Sequence, residues 1–346
     1  MEGTMKALTK GAAGPGLELR TVAIPEIGPH DVLVKVEVAS ICGTDLHIYN
    51  WDPWSQGRIK PPRIIGHEFA GRIVELGREV EGLSPGAFVS AESHTTCGTC
   101  YQCRTGQGHV CRDYRILGVD RDGCFADYVA VPAASVWVND PDVPAEICSI
   151  QDPLGNAIHT ALSGEIVANT VAVFGCGAIG LCAIAVAKAA GAATIYAVDV
   201  NDYRLDLARK LGAAVTLKAD RDDVVRALLD GSNGLGVDVV LEMSGAPSAI
   251  RQAFGGLRNG GRVALLGVPS RPVEMDLAEQ IIFKGAIVHG ITGRRLWDTW
   301  YKMRSLLASR RLDVALVITH RFKLEEFEKG FALMRSGNCG KVVLYP

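Results

Sequence analysis

Within this 346-residue chain, four thiols fall inside one short stretch: Cys97, Cys100, Cys103 and Cys111. Pairwise disulfides at such separations would be strained, whereas four thiolates suit a closed tetrahedral zinc site. The competing chemistry is an iron–sulfur cluster. Its bacterial spacing sets the fourth cysteine four residues after the third and follows it with proline, but here the last gap is eight residues and Arg112 comes next. Zinc fits the spacing better. A site of this kind has no open position, so it holds a loop together and does no chemistry.

Two other clusters carry reactive groups. Cys42-Gly43-Thr44-Asp45-Leu46-His47 places a thiol, a hydroxyl and an imidazole within six residues, and Gly66-His67-Glu68-Phe69-Ala70-Gly71 sets an imidazole beside a carboxylate. Taken singly these residues read as structural. A buried cysteine packs as a small hydrophobe, and His67-Glu68 alone reads as a strand with a capping histidine and a surface glutamate.

The third motif is Gly175-Cys176-Gly177-Ala178-Ile179-Gly180, a G-x-G-x-x-G that ends the apolar run at 171–174. That run suits a buried strand, residues 181–190 are good helix formers stopped by Gly191, and 194–198 reads as a second strand ending on Asp199. In such a unit the first glycine permits the tight turn, the second lets the backbone approach a pyrophosphate, and the third lets helix and strand pack. The helix N-terminus faces the anion. Asp199 sits where a ribose hydroxyl acceptor belongs. It would repel a 2′-phosphate, and Val200 and Asn201 supply no cation, so NAD is expected over NADP.

The elements that must position these groups follow from periodicity. Residues 5–8 form a first strand, and 31–39 alternates, with Val32, Val34, Val36 and Val38 on one face and Asp31, Lys35 and Glu37 mostly on the other. Beyond Asp199, a helix at 203–210 closes at Gly212, and apolar runs recur at 215–217, 237–241, 262–266 and 286–289. With the first two strands these make about six, as a doubly wound parallel sheet requires. The loops holding Leu266, Gly267, Val268 and then Ile291 and Thr292 follow the last two strands, where they would touch the nicotinamide half of the cofactor. Residues 297–308 and 324–336 read as amphipathic helices.

Composition removes several alternatives. A net charge of −2 from 36 basic and 38 acidic residues, without a basic run, gives no footing for nucleic acid or an anionic membrane. The apolar stretch 181–198 is broken by Lys188 and Gly191 and is not a membrane span. No N-terminal signal is visible, so the expected location is the cytoplasm. The length favours two domains.

Cys42-Gly43-Thr44-Asp45, Gly66-His67-Glu68-x-x-Gly71, the cysteine lobe and the glycine motif together resemble, in order and spacing across nearly the whole chain, the zinc-dependent medium-chain dehydrogenases, the alcohol and polyol dehydrogenase family. Residues 47–56, 153–160, 242–247 and 318–322 are similar to the branch of that family that oxidises the C3 hydroxyl of L-threonine to 2-amino-3-oxobutanoate. The resemblance implies an α/β fold: a Rossmann doubly wound parallel sheet at 156–295, joined to a GroES-like, mainly β catalytic domain at 1–155 and 296–346 whose zinc lobe is 93–115. It implies NAD and two zinc ions per subunit, one structural and one catalytic. Cys42, His67 and Glu68 would hold the catalytic zinc, with Asp152 in support and Thr44 and His47 as a proton relay. His94 would lie at the substrate pocket, and Ile179, Asp199, Arg204, Leu266, Gly267, Val268, Ile291 and Thr292 would meet the cofactor. The substrate would be a small molecule and the assembly a homotetramer. A polyol, butanediol or other secondary alcohol dehydrogenase would share every one of these groups. A non-catalytic nucleotide-binding relative would lack the zinc set that this sequence retains.

Overall fold

Alternating valines set the first sheet against its core. In the strand Asp31–Ser40, Val32, Val34, Val36 and Val38 are buried while Lys35 and Glu37 are exposed. The computed structural model describes residues 2–346 and divides them into two compact units. One runs up to Asp152 and resumes at Ile318–Pro346, and the other is Pro153–Val317.

In the first unit, Asp31–Ser40 is the hub of a seven-stranded sheet. Phe69–Leu76 pairs antiparallel along one edge of it, and on the opposite edge Tyr128–Pro132 pairs antiparallel with its first half and the C-terminal strand Lys341–Tyr345 antiparallel with its end. Its core gathers Val34, Val36, Ile41, Ile48, Phe69, Phe125, Phe331 and Leu344. The first strand, read at 5–8, spans Thr4–Lys10. The helix read at 324–336 begins as a 3₁₀ turn, Leu324–Glu326, and becomes α-helical over Phe327–Ser336; tight first turns of this kind are common at helix starts.

The second unit is a six-stranded, wholly parallel sheet. Its strand order in chain sequence is 3-2-1-4-5-6: Val215–Lys218, Thr194–Asp199, Thr170–Phe174, Val237–Glu242, Leu257–Leu265 and Ile287–Gly290. This is the doubly wound order, which reverses at the strand that precedes the glycine motif. The fifth strand starts at Leu257, ahead of the apolar run at 262–266, because the polar Asn259-Gly260 segment bulges out of the ladder and hides the strand in the sequence. Among the described residues, no helix is long and apolar enough to cross a membrane.

Candidate active site

Three strand ends create the first site. Ala39 pairs with Phe69, and the Ser40 N–H donates to the Glu68 carbonyl at 2.9 Å, carrying the pairing one residue beyond the ladder. Val343 pairs with Ser40, and the Ile41 N–H donates to the Val342 carbonyl, also at 2.9 Å. Cys42 therefore leaves one strand where Glu68 approaches the next and Lys341 opens the third. On a regular strand His67 and Glu68 would face opposite sides. Here residues 65–68 are not strand, and Gly66 takes φ +92° with Phe125 where a Cβ would stand, 2.3 Å away. Only glycine fits that bend.

One donor atom from each of Cys42, His67 and Glu68 lies within 4.8 Å of the other two. His67 and Glu68 are buried, and so is Asp45, which accepts the Cys42 N–H at 2.8 Å and faces His67 Nδ1 at 3.7 Å. Glu68 Oε2 pairs with the buried Lys341 Nζ and accepts the Ser40 hydroxyl, while the equally buried Oε1 has no hydrogen-bond partner. Burial alone would favour neutral His67, but Asp45 and then Cys42 outweigh it and hold the imidazole above its ordinary range. An orphaned carboxylate oxygen and a surplus of negative charge around one imidazole are what a divalent cation satisfies. Mixed N, S and O donors suit zinc, and three protein donors leave the fourth position open, as a catalytic site needs.

Of the other residues read from the sequence, Thr44 and Asp152 reach this set, while His47 and His94 are held by partners of their own. Asp152 stands outside the three donors, its Oδ2 accepting from Ser93 Oγ at 2.5 Å. Thr44 and His47 lie three residues apart on helix α1 (Gly43–Asn50), hence on one face. Thr44 Oγ1 is 3.9 Å from Cys42 Sγ, and His47 Nδ1 is 2.5 Å from Asp52 Oδ2. The buried Glu92 holds His94 twice: its Oε1 accepts the backbone N–H at 3.0 Å and sits 3.1 Å from Nδ1. Sequence reasoning missed Ser40, Asp45, Asp52, Glu92, Ser93 and Lys341. Asp45 and Asp52 stand close enough to the reactive groups to have been questioned. Lys341 lies 273 residues from Glu68 and offered no signal.

The four thiols of the lobe come together separately. Cys97 and Cys100 sulfurs lie 3.5 and 3.8 Å from that of Cys111. A disulfide would be about 2 Å, whereas the edge of a tetrahedron with zinc–sulfur bonds of 2.3 Å is about 3.8 Å. Backbone N–H groups of Cys97 and Asp113 point at Cys111 Sγ, each at 3.4 Å. Those of Thr99 and Cys100 draw the Cys97 thiol down to about 6, favouring the thiolate that binds metal.

In the second unit each glycine of the motif has its own reason. Gly175 adopts φ +89° with Ser244 packed where a Cβ would be, and at Gly180 a Cβ would meet the Gly175 carbonyl at 1.9 Å. At Gly177 nothing lies within 4 Å, which leaves room for a ligand at the start of the helix Ala178–Ala189, an end without a side-chain cap. That space and those free N–H groups fit a pyrophosphate. Asp199 ends its strand largely buried, with Oδ2 accepting the Cys176 N–H at 2.6 Å and Oδ1 that of Asn201 at 2.9 Å. Asn201 in turn caps the helix that carries Arg204. Leu266 and Gly267 N–H groups are tied to the Glu242 carbonyl, Gly267 packs on Gly245, and the Ile291 N–H reaches the Leu265 carbonyl. Thr292 follows on that same loop, and Val268 is left exposed. These loops gather at the carboxyl ends of the strands, where this fold takes its ligands.

Comparison with known proteins agrees with both units. Residues 28–141 match the alcohol dehydrogenase GroES-like domain and residues 178–309 the zinc-binding dehydrogenase domain. The chain is 54% identical to the L-threonine 3-dehydrogenase of Symbiobacterium thermophilum, covering all of this chain and 99% of that one. It is 53% identical to that of Bacillus licheniformis over the full length of both. A solved Sinorhizobium meliloti chain, described as a zinc-binding dehydrogenase bound to NADP, superposes with a TM-score of 0.92 at 32% identity, covering 99% of this chain and all of that one. The chain belongs to the zinc-binding dehydrogenase family, with a Rossmann unit and a GroES-like unit.

Proposed function

We propose that this protein oxidises the C3 hydroxyl of L-threonine with NAD, giving 2-amino-3-oxobutanoate, NADH and a proton. The observation that carries this reading is the whole-length similarity to L-threonine 3-dehydrogenases, 54% and 53% identical. The intact donor set of Cys42, His67 and Glu68 gives it a chemical basis and speaks against a non-catalytic relative. Those three residues would hold the catalytic zinc, and Cys97, Cys100, Cys103 and Cys111 the structural one.

Bound at the open set, zinc supplies Lewis-acid chemistry of the kind that lowers the pKa of a ligated water from about 16 to about 7, worth on the order of 12 kcal/mol. The protein's own groups do the rest. Thr44 receives the hydroxyl proton and passes it to His47, whose side chain is 60% exposed and can release it to water. A positioned base of this kind contributes about 3 to 5 kcal/mol. Asp152, fixed by Ser93, supports the donor set from outside it, and His94, fixed by Glu92, faces the substrate. In the Rossmann unit the N–H groups after Gly177 bind the pyrophosphate and Asp199 the ribose of NAD, the hydride acceptor, with Arg204 and the loops at Leu266, Gly267, Val268, Ile291 and Thr292 lining the cofactor.

The test is NADH formation by zinc-loaded protein offered L-threonine, D-threonine, 2,3-butanediol and sorbitol in parallel. Strong preference for L-threonine is expected. Turnover of a diol or polyol alone would overturn the substrate, and no turnover with zinc content verified would overturn the enzyme reading.

The assembly reading is a cytoplasmic homotetramer. Its self-association is supported by the edge strand Ile287–Gly290, whose outer side is unpaired and on which Ile287 and Val288 are exposed, as are Ile282 and Phe283 just before it. Light scattering on the purified protein tests it, and a monomer would refute it.

A further inference from the structure

The His47 ring is held from outside its own helix. After α1 the chain turns at Trp51, in the left-handed region at φ +56°, and Asp52 then caps the short helix α2 (Pro53–Arg58). Its two carboxylate oxygens are divided between two tasks. Oδ1 accepts the Ser55 N–H at 2.9 Å and the buried Ser55 hydroxyl at 3.0 Å, whereas Oδ2 faces His47 Nδ1 at 2.5 Å. Burial would raise the Asp52 carboxyl, but the Ser55 N–H, the His47 ring and the Ser55 hydroxyl outweigh it and keep the group below its usual range. It is an anion locked by its own cap.

From this geometry we infer that Asp52 is the positioning residue of the proton relay: it fixes the His47 tautomer with hydrogen on Nδ1, so that Nε2 is free to accept the proton that Thr44 delivers. The inference rests on the relay proposed above. A carboxylate behind an imidazole does two things. It selects the tautomer, and it stabilises the imidazolium formed when the proton arrives. His47 sits in the last turn of α1, where the helix end also favours a cation. The Trp54 ring lies beside the imidazole, 6.1 Å away centroid to centroid and tilted 59° to it. The proton moves from the substrate hydroxyl to Thr44 while Thr44 gives its own to Nε2, and His47 returns to neutrality by releasing one proton to solvent. No oxidant beyond NAD is needed.

The cap makes the test selective. In Asp52→Asn the amide can keep accepting from Ser55 only by turning its NH₂ toward Nδ1, which forces hydrogen onto Nε2, the wrong side. Asp52→Ser keeps a good cap and removes the carboxylate. Both are compared with His47→Asn in the zinc-loaded enzyme with L-threonine and NAD. The expected result is a fall of about 10- to 100-fold in kcat for both Asp52 variants, with KM values for both substrates within about 3-fold and melting temperature nearly unchanged. The pH limb of kcat should also move to lower pH, because the imidazolium has lost its anion. If the Asp52 variants turn over normally while His47→Asn is slow, Asp52 is only a cap and the inference fails. A fall in kcat without movement of the limb also overturns it, since a structural defect would lower the plateau alone. If His47→Asn is itself unimpaired, the relay falls, and this inference with it.

Discussion

The cysteine lobe takes all its donors from one loop, residues 97–111, whereas the open set takes Cys42 from the start of α1, His67 and Glu68 from a bend before another strand, and a counter-ion, Lys341, from the C-terminal strand. Their surroundings differ in the same way. In the lobe, the Cys97 and Cys111 sulfurs are addressed by backbone N–H groups of the lobe itself, whereas burial and the neighbouring thiols push the Cys103 thiol up to about 12. The open set is balanced by buried charged side chains: Asp45 against His67, and Lys341 against Glu68. Local dipoles can favour thiolates but cannot hold four of them together, so the lobe depends on its metal. The open set is pinned by three strands and should keep its shape without one. One site uses metal for folding, and the other is folded in order to use metal.

The largest effect that tests this contrast is loss of the lobe. Structural zinc contributes on the order of 10 kcal/mol or more in small domains. Cys100→Ser with Cys103→Ser should therefore give protein that melts far lower or fails to fold, measured by thermal denaturation and metal content. A melting temperature unchanged within a degree would break the comparison. Cys42→Ser should do the opposite. It should retain the fold and the lobe's zinc while turnover with L-threonine falls by about 10⁴-fold or more, given the scale of Lewis-acid activation.

Lys341→Met probes the scaffold of the open set. It strands Glu68 as a buried charge, so metal-free protein should lose about 3 to 5 kcal/mol by denaturant titration. A loss below 1 kcal/mol would mean that Glu68 is not charged there. Asp152→Asn is smaller: a supporting group of this kind changes metal affinity or activity by about 10- to 100-fold, read by competition with a chelator. The smallest effect is a control on the neighbouring strand, the exposed pair of Arg321 and Glu146 at 2.6 and 2.7 Å. Arg321 holds the Glu146 carboxyl below its usual range. Its stabilisation is therefore complete above the ordinary glutamate pKa and is lost as pH falls through the lowered folded value. Glu146→Gln should cost about 1 kcal/mol or less at pH 7, and the deficit should shrink as pH falls below the ordinary glutamate range and vanish only below the lowered folded value. A deficit as large as that of Lys341→Met would erase the distinction between buried and exposed pairs.

Local features were legible because their information is local. The lobe's spacing, the glycine motif with Asp199, and the valine alternation at 31–39 each encode a geometry within a few turns of chain. Alone, the sequence determined the doubly wound sheet, the lobe's tetrahedral donors and, through resemblance, the residue types of a catalytic zinc set. Tertiary structure decided which of those residues meet and what charges them. The bend at Gly66, where Phe125 packs in the place of a Cβ, brings the donor atoms of His67 and Glu68 together, and Lys341 reaches Glu68 only through the pairing of the last strand with Asp31–Ser40. Asp52 reaches His47 only because Trp51 reverses the chain between them. Strand register and chain reversal are set by packing over the whole unit, so no short stretch of sequence contains them.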